Sequence, residues 1–230
     1  MDTTAIEPHA KATFLSNLIL GGQDGLVNVL GVILGVAAAS NDGRIVLAGG
    51  LAATFAESIS MAAVAYTSKM AEKDHYEAEL AREKREMQEM PEIETQEIRD
   101  IYKAKGFSGK LLEDIVKHIT SDEKIWLTTM MREELGLSPI KTKDIMVGSL
   151  VVGGSALLGS FIPLVPFFFL SVKNGIITSL VISALTLFAV GVYKAKTTVG
   201  KPLRSGIELT IIGMGAAIVG YAIGLLFQQK

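Results

Sequence analysis

Residues 47–90 read LAGGLAATFAESISMAAVAYTSKMAEKDHYEAELAREKREMQEM. The first half is apolar and the second half is strongly charged, yet no helix breaker divides them. An apolar run of roughly 20 residues crosses the ~30 Å hydrocarbon core of a bilayer. It must do so as a helix, because lipid offers the backbone no hydrogen-bond partners. The stretch therefore predicts one helix of roughly 65 Å that begins in a membrane and continues into water. Pro91 stops it and suits the first turn of the helix that follows. Residues Glu72–Glu97 hold ten of the chain's 24 acidic residues. A membrane helix that emerges so rich in carboxylates poses a choice between a solvated face and a cation site.

Working outward, 31 of the 46 charged residues fall within 69–143, while the whole chain is 49% hydrophobic with a mean hydropathy of +0.40. Four further runs have spanning length: Thr13–Ser40, Thr142–Ile162, Gly175–Tyr193 and Ser205–Phe227. The expected fold class is an all-α membrane protein: five transmembrane helices with a cytoplasmic helical metal-binding insert between helices 2 and 3. The expected divisions are a transmembrane hairpin over 1–68, the insert over 69–141, and transmembrane helices 3–5 over 142–230. A net charge of −2 gives no reason to expect nucleic acid. The absence of Cys excludes disulfides and thiolate ligands, leaving O, N or thioether donors for any metal. The N-terminus lacks a basic stretch followed by an apolar core and does not resemble a cleaved signal peptide.

Asn41-Asp42-Gly43 predicts a tight turn between the first two spans. Pro163 and Pro166 predict the end of the third span and an apolar loop beyond it. With the N-terminus inside, 19 of the 22 basic residues lie on the inner side; only Arg44, Lys173 and Lys230 lie outside. The expected orientation is N-terminus and insert cytoplasmic, C-terminus outside or lumenal. Within the insert, a helix from Pro91 is expected to end at Gly106 and Ser108 to cap the next. Thr120 with Glu123 has capping-box spacing for another, ending at Gly136, and Ser138-Pro139 leads into the third span. Leu111, Leu112, Ile115, Ile119, Ile125, Trp126 and Leu127 are the expected core.

In the first span Asn17, Gly21, Asp24, Asn28, Gly31 and Gly35 alternate by three and four, which sets them on one helical stripe. Gly21, Gly25, Gly31 and Gly35 suit close helix packing. Asp24 is different, because an acid near the bilayer centre costs about 2.5–3.5 kcal/mol and should face a cavity or partner. Glu57 and Met61 lie one turn apart in the second span, near Thr54, Ser58 and Ser68. A carboxylate, a thioether and hydroxyls facing Asp24 would suit a divalent transition metal over Mg²⁺ or Ca²⁺. In the insert, Glu83/Glu86 and Glu94/Glu97 form two E-x-x-E pairs that a turn at Pro91 folds together. Like charges at this spacing cost a few tenths of a kcal/mol per pair, which a cation would relieve. Carboxylate pairs on adjacent helices resemble iron ligation in bundle proteins, although the usual His partner is missing. Met130 and Glu134, one turn apart, are further candidate ligands. Against this, Arg82–Glu86 and Arg85–Glu89 have the spacing of ordinary surface ion pairs, and Glu77, Glu79 and Glu89 suit plain helix surface. His75 and His118 are isolated. No phosphate-binding loop, nucleophile elbow, H-E-x-x-H or EF-hand motif occurs, so uphill transport would need an ion gradient or a partner.

GGQDGLVNVLGVILGVAAAS, SISMAAVAYTSK, YEAELAREKREMQEMPEIETQEIRDIYKAKG and REELGL, together with the five-span plan, resemble the vacuolar iron transporter (VIT/CCC1) family across nearly the whole chain. The resemblance implies a homodimeric, proton-coupled exporter of Fe²⁺ and related divalent metals from the cytosol. It implies a route lined by Asp24 and Met61, and an insert that binds metal through Glu83, Glu86, Glu94, Glu97, Glu134 and Met130. One position departs from the pattern. Many members carry Gly-Glu shortly after the Ser-Met motif, where this chain has Val64-Ala65; Glu57 stands two turns earlier on the same face.

The expected function is proton-coupled export of Fe²⁺, with Mn²⁺, Co²⁺ or Zn²⁺ as further substrates. The transport route is Asp24, Asn28, Glu57 and Met61, and no enzymatic activity is expected. The expected partners are divalent metal ions, protons, membrane lipid and a second copy of the chain. A prokaryotic plasma membrane or a vacuolar membrane suits such a chain. The alternatives are a membrane-anchored metal sensor or store without transport, and a scaffold whose charged helices bind a partner. A diiron oxidase is disfavoured by the missing ligand histidines.

Overall fold

The quoted stretch forms one helix, α2 (Gly43–Glu89), 47 residues long and free of Pro and Gly after Gly50. The computed structural model describes residues 8–197 and 200–228. Lys230 and the residues ahead of Pro8, used above for orientation and targeting, lie outside them. Ahead of α2 stands α1 (Pro8–Ser40). Beyond it come α3 (Pro91–Ala104), α4 (Gly109–Thr120), α5 (Glu123–Thr129) and a π-helical turn, Met130–Glu134. The chain ends with α6 (Thr142–Leu164), the single turn α7 (Pro166–Phe169), α8 (Val172–Thr197) and α9 (Pro202–Leu226). No strand occurs among the described residues. Five helices, α1, α2, α6, α8 and α9, are long and apolar enough to cross a membrane. The chain packs as two units, one from residues up to 66 with those from 146 onward, the other from 67–145.

In the membrane unit α1 is the central post. Leu26, Val29, Leu30, Ile33, Leu34 and Ala37, spaced by three and four, are buried. They pack with Val46, Leu164, Phe167 and Ala217 from the surrounding helices, and with Leu187 and Leu209. The expected glycine contacts are present and extremely close. A Cβ on Gly25 would collide with the Ala156 carbonyl of α6, and one on Gly220 of α9 with the Gly31 backbone. The α1 stripe thus serves different neighbours: Gly21 and Gly25 meet α6, while Gly31 and Gly35 meet α9. A 3,4 alternation averages 3.5 residues per turn and drifts about 20° per heptad on a straight helix. The upper and lower halves therefore point to different partners.

The turn after α1 forms as expected, with Asn41 in the left-handed region at φ 49° and Asp42 Oδ1 accepting from Arg44 N. Pro163 does not end α6, which continues to Leu164. The missing partner matters little this near the helix end, and the Pro163 carbonyl accepts from Ser179 Oγ at 2.7 Å. The apolar stretch beyond is one helical turn rather than a loop, because Pro166 sits at the helix-starting position.

In the 67–145 unit, Ile98, Leu112, Val116, Ile119 and Met130 form the core, flanked by Tyr102, Phe107, Ile115 and Trp126. Leu111 and Ile125, expected inside, are 58% and 41% exposed because the phases of α4 and α5 turn them outward. Thr120 does not cap α5: its hydroxyl donates back to Val116 O and completes α4. Asp122 is the cap, its carboxylate accepting from Lys124 N and Ile125 N. Ser138-Pro139 does not start α6, which begins at Thr142. Proline ahead of a helix leaves its predecessor extended, so the segment runs on to the next available start.

Candidate functional site

Two groups of carboxylates stand out, one in each unit. In the membrane unit, α1 supplies Asp24 and Asn28 one turn apart, and Asn28 Nδ2 donates to Asp24 Oδ2 at 3.3 Å. Helix α2 brings Glu57 to the same place, its carboxyl close to both Asp24 and Asn28. Asp24 and Glu57 are half-buried and Asn28 is exposed. The trio sets two carboxyl groups and an amide together on the spanning parts of two helices. Met61, one turn beyond Glu57, is half-buried. Thr54 and Ser58 are already engaged: Thr54 Oγ1 donates to Gly50 O and Ser58 Oγ to Gly153 O on α6. Ser68 is exposed on the other unit's part of α2. A groove of about 410 Å³ among α1, α6 and α8 is lined by Leu18, Leu26, Leu158, Ile162 and Val190. It includes neither Asp24 nor Glu57, and its apolar walls suit lipid rather than an ion.

In the 67–145 unit, Met90 makes the turn and Pro91 opens α3, and Glu94 comes near enough to Glu83 and Glu86 to feel their charge. Glu83 and Glu94 are only 2% and 4% exposed, and the Oε2 atom of each is buried without a hydrogen-bond partner. Burial pushes Glu94 up to about 7, helped by Glu97, Glu83, Glu134 and Glu86 in that order. Glu134 is likewise pushed up to about 7, by desolvation and then by Glu97 and Glu83, against the attraction of Arg82. Its side chain is exposed to solvent. Glu134 also lies close to Glu97. Five glutamates from α2, α3 and the π-helical turn thus share one neighbourhood. Among the described residues, no three His, Asp or Glu side chains stand ready-made around a single ion position. The cluster is therefore a set of donors in reach of one another rather than a finished cage.

Met130 is fully buried in the apolar core, at the start of the π-helical turn that ends with Glu134. Glu77 is paired with Lys73 at 2.7 Å and Glu79 with Arg82 at 2.9 Å, in keeping with helix surface. Arg82 and Glu86 pair at 3.4 Å, whereas no Arg85–Glu89 ion pair is found among the described residues. His118 is exposed, and His75 stands 3.9 Å from Glu79. Sequence reasoning missed the buried Met87, one turn from Glu83 and 6% exposed. Its signal was the same i,i+4 spacing of Glu and Met that drew attention to Met130 and Glu134. It also treated Arg82 as surface, although the guanidinium reaches the buried Glu83.

Residues 15–225 match the model of the VIT family. A tulip (Tulipa gesneriana) protein named vacuolar iron transporter 1 is 30% identical, over 97% of this chain and 91% of its own length. The rice (Oryza sativa) protein of the same name is 31% identical, over 93% of this chain and 85% of its own. Protein CCC1 of Saccharomyces cerevisiae is 30% identical, over 88% of this chain and 66% of its own.

Proposed function

This chain belongs to the VIT family of membrane transporters, and on that premise we propose that it exports divalent transition metal, Fe²⁺ foremost, from the cytosol in exchange for protons. The observation that carries the proposal is the trio Asp24, Asn28 and Glu57, polar groups in mutual contact on two otherwise apolar spanning helices. A carboxyl group in that setting is costly, and the cost has a use if the pair alternates between holding a proton and holding a cation.

The steps follow from the donors. On the cytoplasmic side the carboxylates Glu83, Glu86, Glu94, Glu97 and Glu134, with Met130, collect the cation. The divalent ion then displaces the proton shared by Asp24 and Glu57, with Met61 one turn along as a thioether donor. Soft sulfur beside hard oxygen favours Fe²⁺, Mn²⁺, Co²⁺ or Zn²⁺ over Mg²⁺ and Ca²⁺. Protons from the far side return to the carboxyls and release the metal outward. Glu57 takes the part of the carboxylate missing at Val64-Ala65. The orientation is N-terminus and 67–145 unit inside, C-terminus outside. The chain works as a homodimer, a second copy covering Asn28, which stays exposed on a spanning helix although its amide donates to Asp24.

The test is metal-dependent proton flux in proteoliposomes under a pH gradient, with a panel of divalent cations. Asp24→Asn and Glu57→Gln should each abolish gradient-driven Fe²⁺ flux while leaving the helical fold intact. Wild-type flux in Asp24→Asn would overturn the mechanism. A membrane-anchored sensor or store predicts metal binding without flux, and leaves the Asp24–Glu57 contact with no task.

A further inference from the structure

Arg82 occupies an unusual position among the glutamates. Its Nη1 lies 2.9 Å from Glu79 Oε2, its Nη2 3.5 Å from Glu83 Oε1 and its Nε 3.4 Å from Glu86 Oε2. Nε is buried with no acceptor in hydrogen-bonding geometry, while the side chain as a whole is 43% exposed. Strong charge-assisted contacts between Arg and carboxylate run about 2.7–2.9 Å. Only the contact to Glu79 has that length, and Glu79 lies outside the set proposed to hold metal. The two contacts into the cluster are long: Nη2 donates to Glu83 Oε1 at 3.5 Å, and the Nε approach to Glu86 makes no hydrogen bond. The guanidinium is therefore anchored at one end, outside, and leans inward at the other.

We infer that Arg82 is a tethered counter-ion of the acidic cluster, one that a divalent cation must displace from Glu83 and Glu86 and that stays parked on Glu79 while displaced. The inference rests on the reading of this cluster as a metal site. Arg82 then sets both affinity and charge selectivity. A monovalent cation gains nothing by replacing a guanidinium of equal charge already in place. A divalent ion does gain, and it meets a fixed competitor that limits how tightly it is held. A cluster that hands its cargo onward needs such a limit.

The test uses the full-length protein in detergent micelles. Co²⁺ is titrated while the emission of Trp126 is followed; Trp126 packs beside Met130 in the core of the 67–145 unit. Arg82→Gln should bind Co²⁺ roughly tenfold more tightly, the order expected from removing two partly exposed charge contacts. It should also become sensitive to competition by Na⁺. Arg85→Gln removes the same charge three residues away from an exposed site, and should change affinity by less than about threefold. Glu79→Gln, which keeps the cation but removes its parking place, should weaken Co²⁺ binding. The opposite signs of Arg82→Gln and Glu79→Gln separate displacement from a merely structural role, which would weaken both. If Arg82→Gln does not fold, Arg82→Met takes its place with the same expected tightening and Na⁺ sensitivity, and an affinity no tighter than that of Arg85→Gln overturns the inference there too. An Arg82→Gln affinity no tighter than that of Arg85→Gln overturns the inference, as does tighter binding in Glu79→Gln. A wild-type protein that binds no Co²⁺ at this cluster overturns the metal-site reading beneath it.

Discussion

Replacing Glu94 by Gln should make the protein more stable at alkaline pH and worse at holding metal. Glu94 is 4% exposed, its Oε2 has no partner, and its carboxyl is pushed up to about 7 from an ordinary value of 4.5. A carboxyl that binds its proton more tightly in the folded state favours folding while it is protonated. That advantage is complete below 4.5 in relative terms, declines as pH rises, and is gone above about 7, where the charge is buried. At ~1.4 kcal/mol for each tenfold in proton affinity, the gap amounts to about 3 kcal/mol at pH 8. Glutamine mimics the neutral acid, and its amide can donate to the surrounding carboxylates. Neighbouring glutamates share the relief, so the expected gain is roughly 1–3 kcal/mol at pH 8 and under ~1 kcal/mol at pH 5. The assay is thermal unfolding of the full chain in detergent, followed by the emission of Trp126, the chain's one Trp. For a unit of this size the gain corresponds to roughly 5–15 °C at pH 8. No gain at pH 8, or the same gain at pH 5, would refute the account of Glu94 as a buried charge kept for function.

Metal binding should release protons, because Glu94 and Glu134, both pushed up to about 7, must ionise to bind. Mn²⁺ should therefore raise the Trp126-monitored midpoint far more at pH 7.5 than at pH 5.5, with acid release measurable in weak buffer. Gly25→Val should destabilise the membrane unit by about 3 kcal/mol or prevent its folding, since the new side chain meets the Ala156 backbone. Size-exclusion of the detergent-extracted protein would show it. Asp122→Ala should cost about 1 kcal/mol through the lost cap, whereas Thr120→Ala should be close to neutral; thermal unfolding of the pair compares them directly.

Much of this was legible in the residues. Long apolar runs and the limits of lipid fix the spanning helices, and Pro91 with the E-x-x-E spacing is enough to bring Glu83 and Glu94 together. What was not legible depends on competition between neighbours, both near and far in sequence. Thr120 and Asp122 are both good caps locally, and the choice falls to Asp122 only because Thr120 is consumed by Val116 O. Leu111 and Ile125 read as core by composition, but the phase of a short helix is set by what it packs against. The π-helical turn at Met130–Glu134 has no local signature. The inward lean of Arg82 could not be told from a surface pair, since i,i+4 spacing is common to both.

The glycine contacts of α1 have a mechanical meaning. With Gly25 against the α6 backbone and Gly31 against α9, the helix carrying Asp24 is bolted at two heights to two different neighbours and behaves as a stator. Helix α2, which carries Glu57, has neither Pro nor Gly from Leu51 to Glu89, so no kink from those residues divides it. If the carboxyl pair is to open and close by movement of α2 against this frame, the stroke must part the contact of Ser58 with Gly153 of α6. Cross-linking α2 to that frame should then stall the transporter with its binding groups intact.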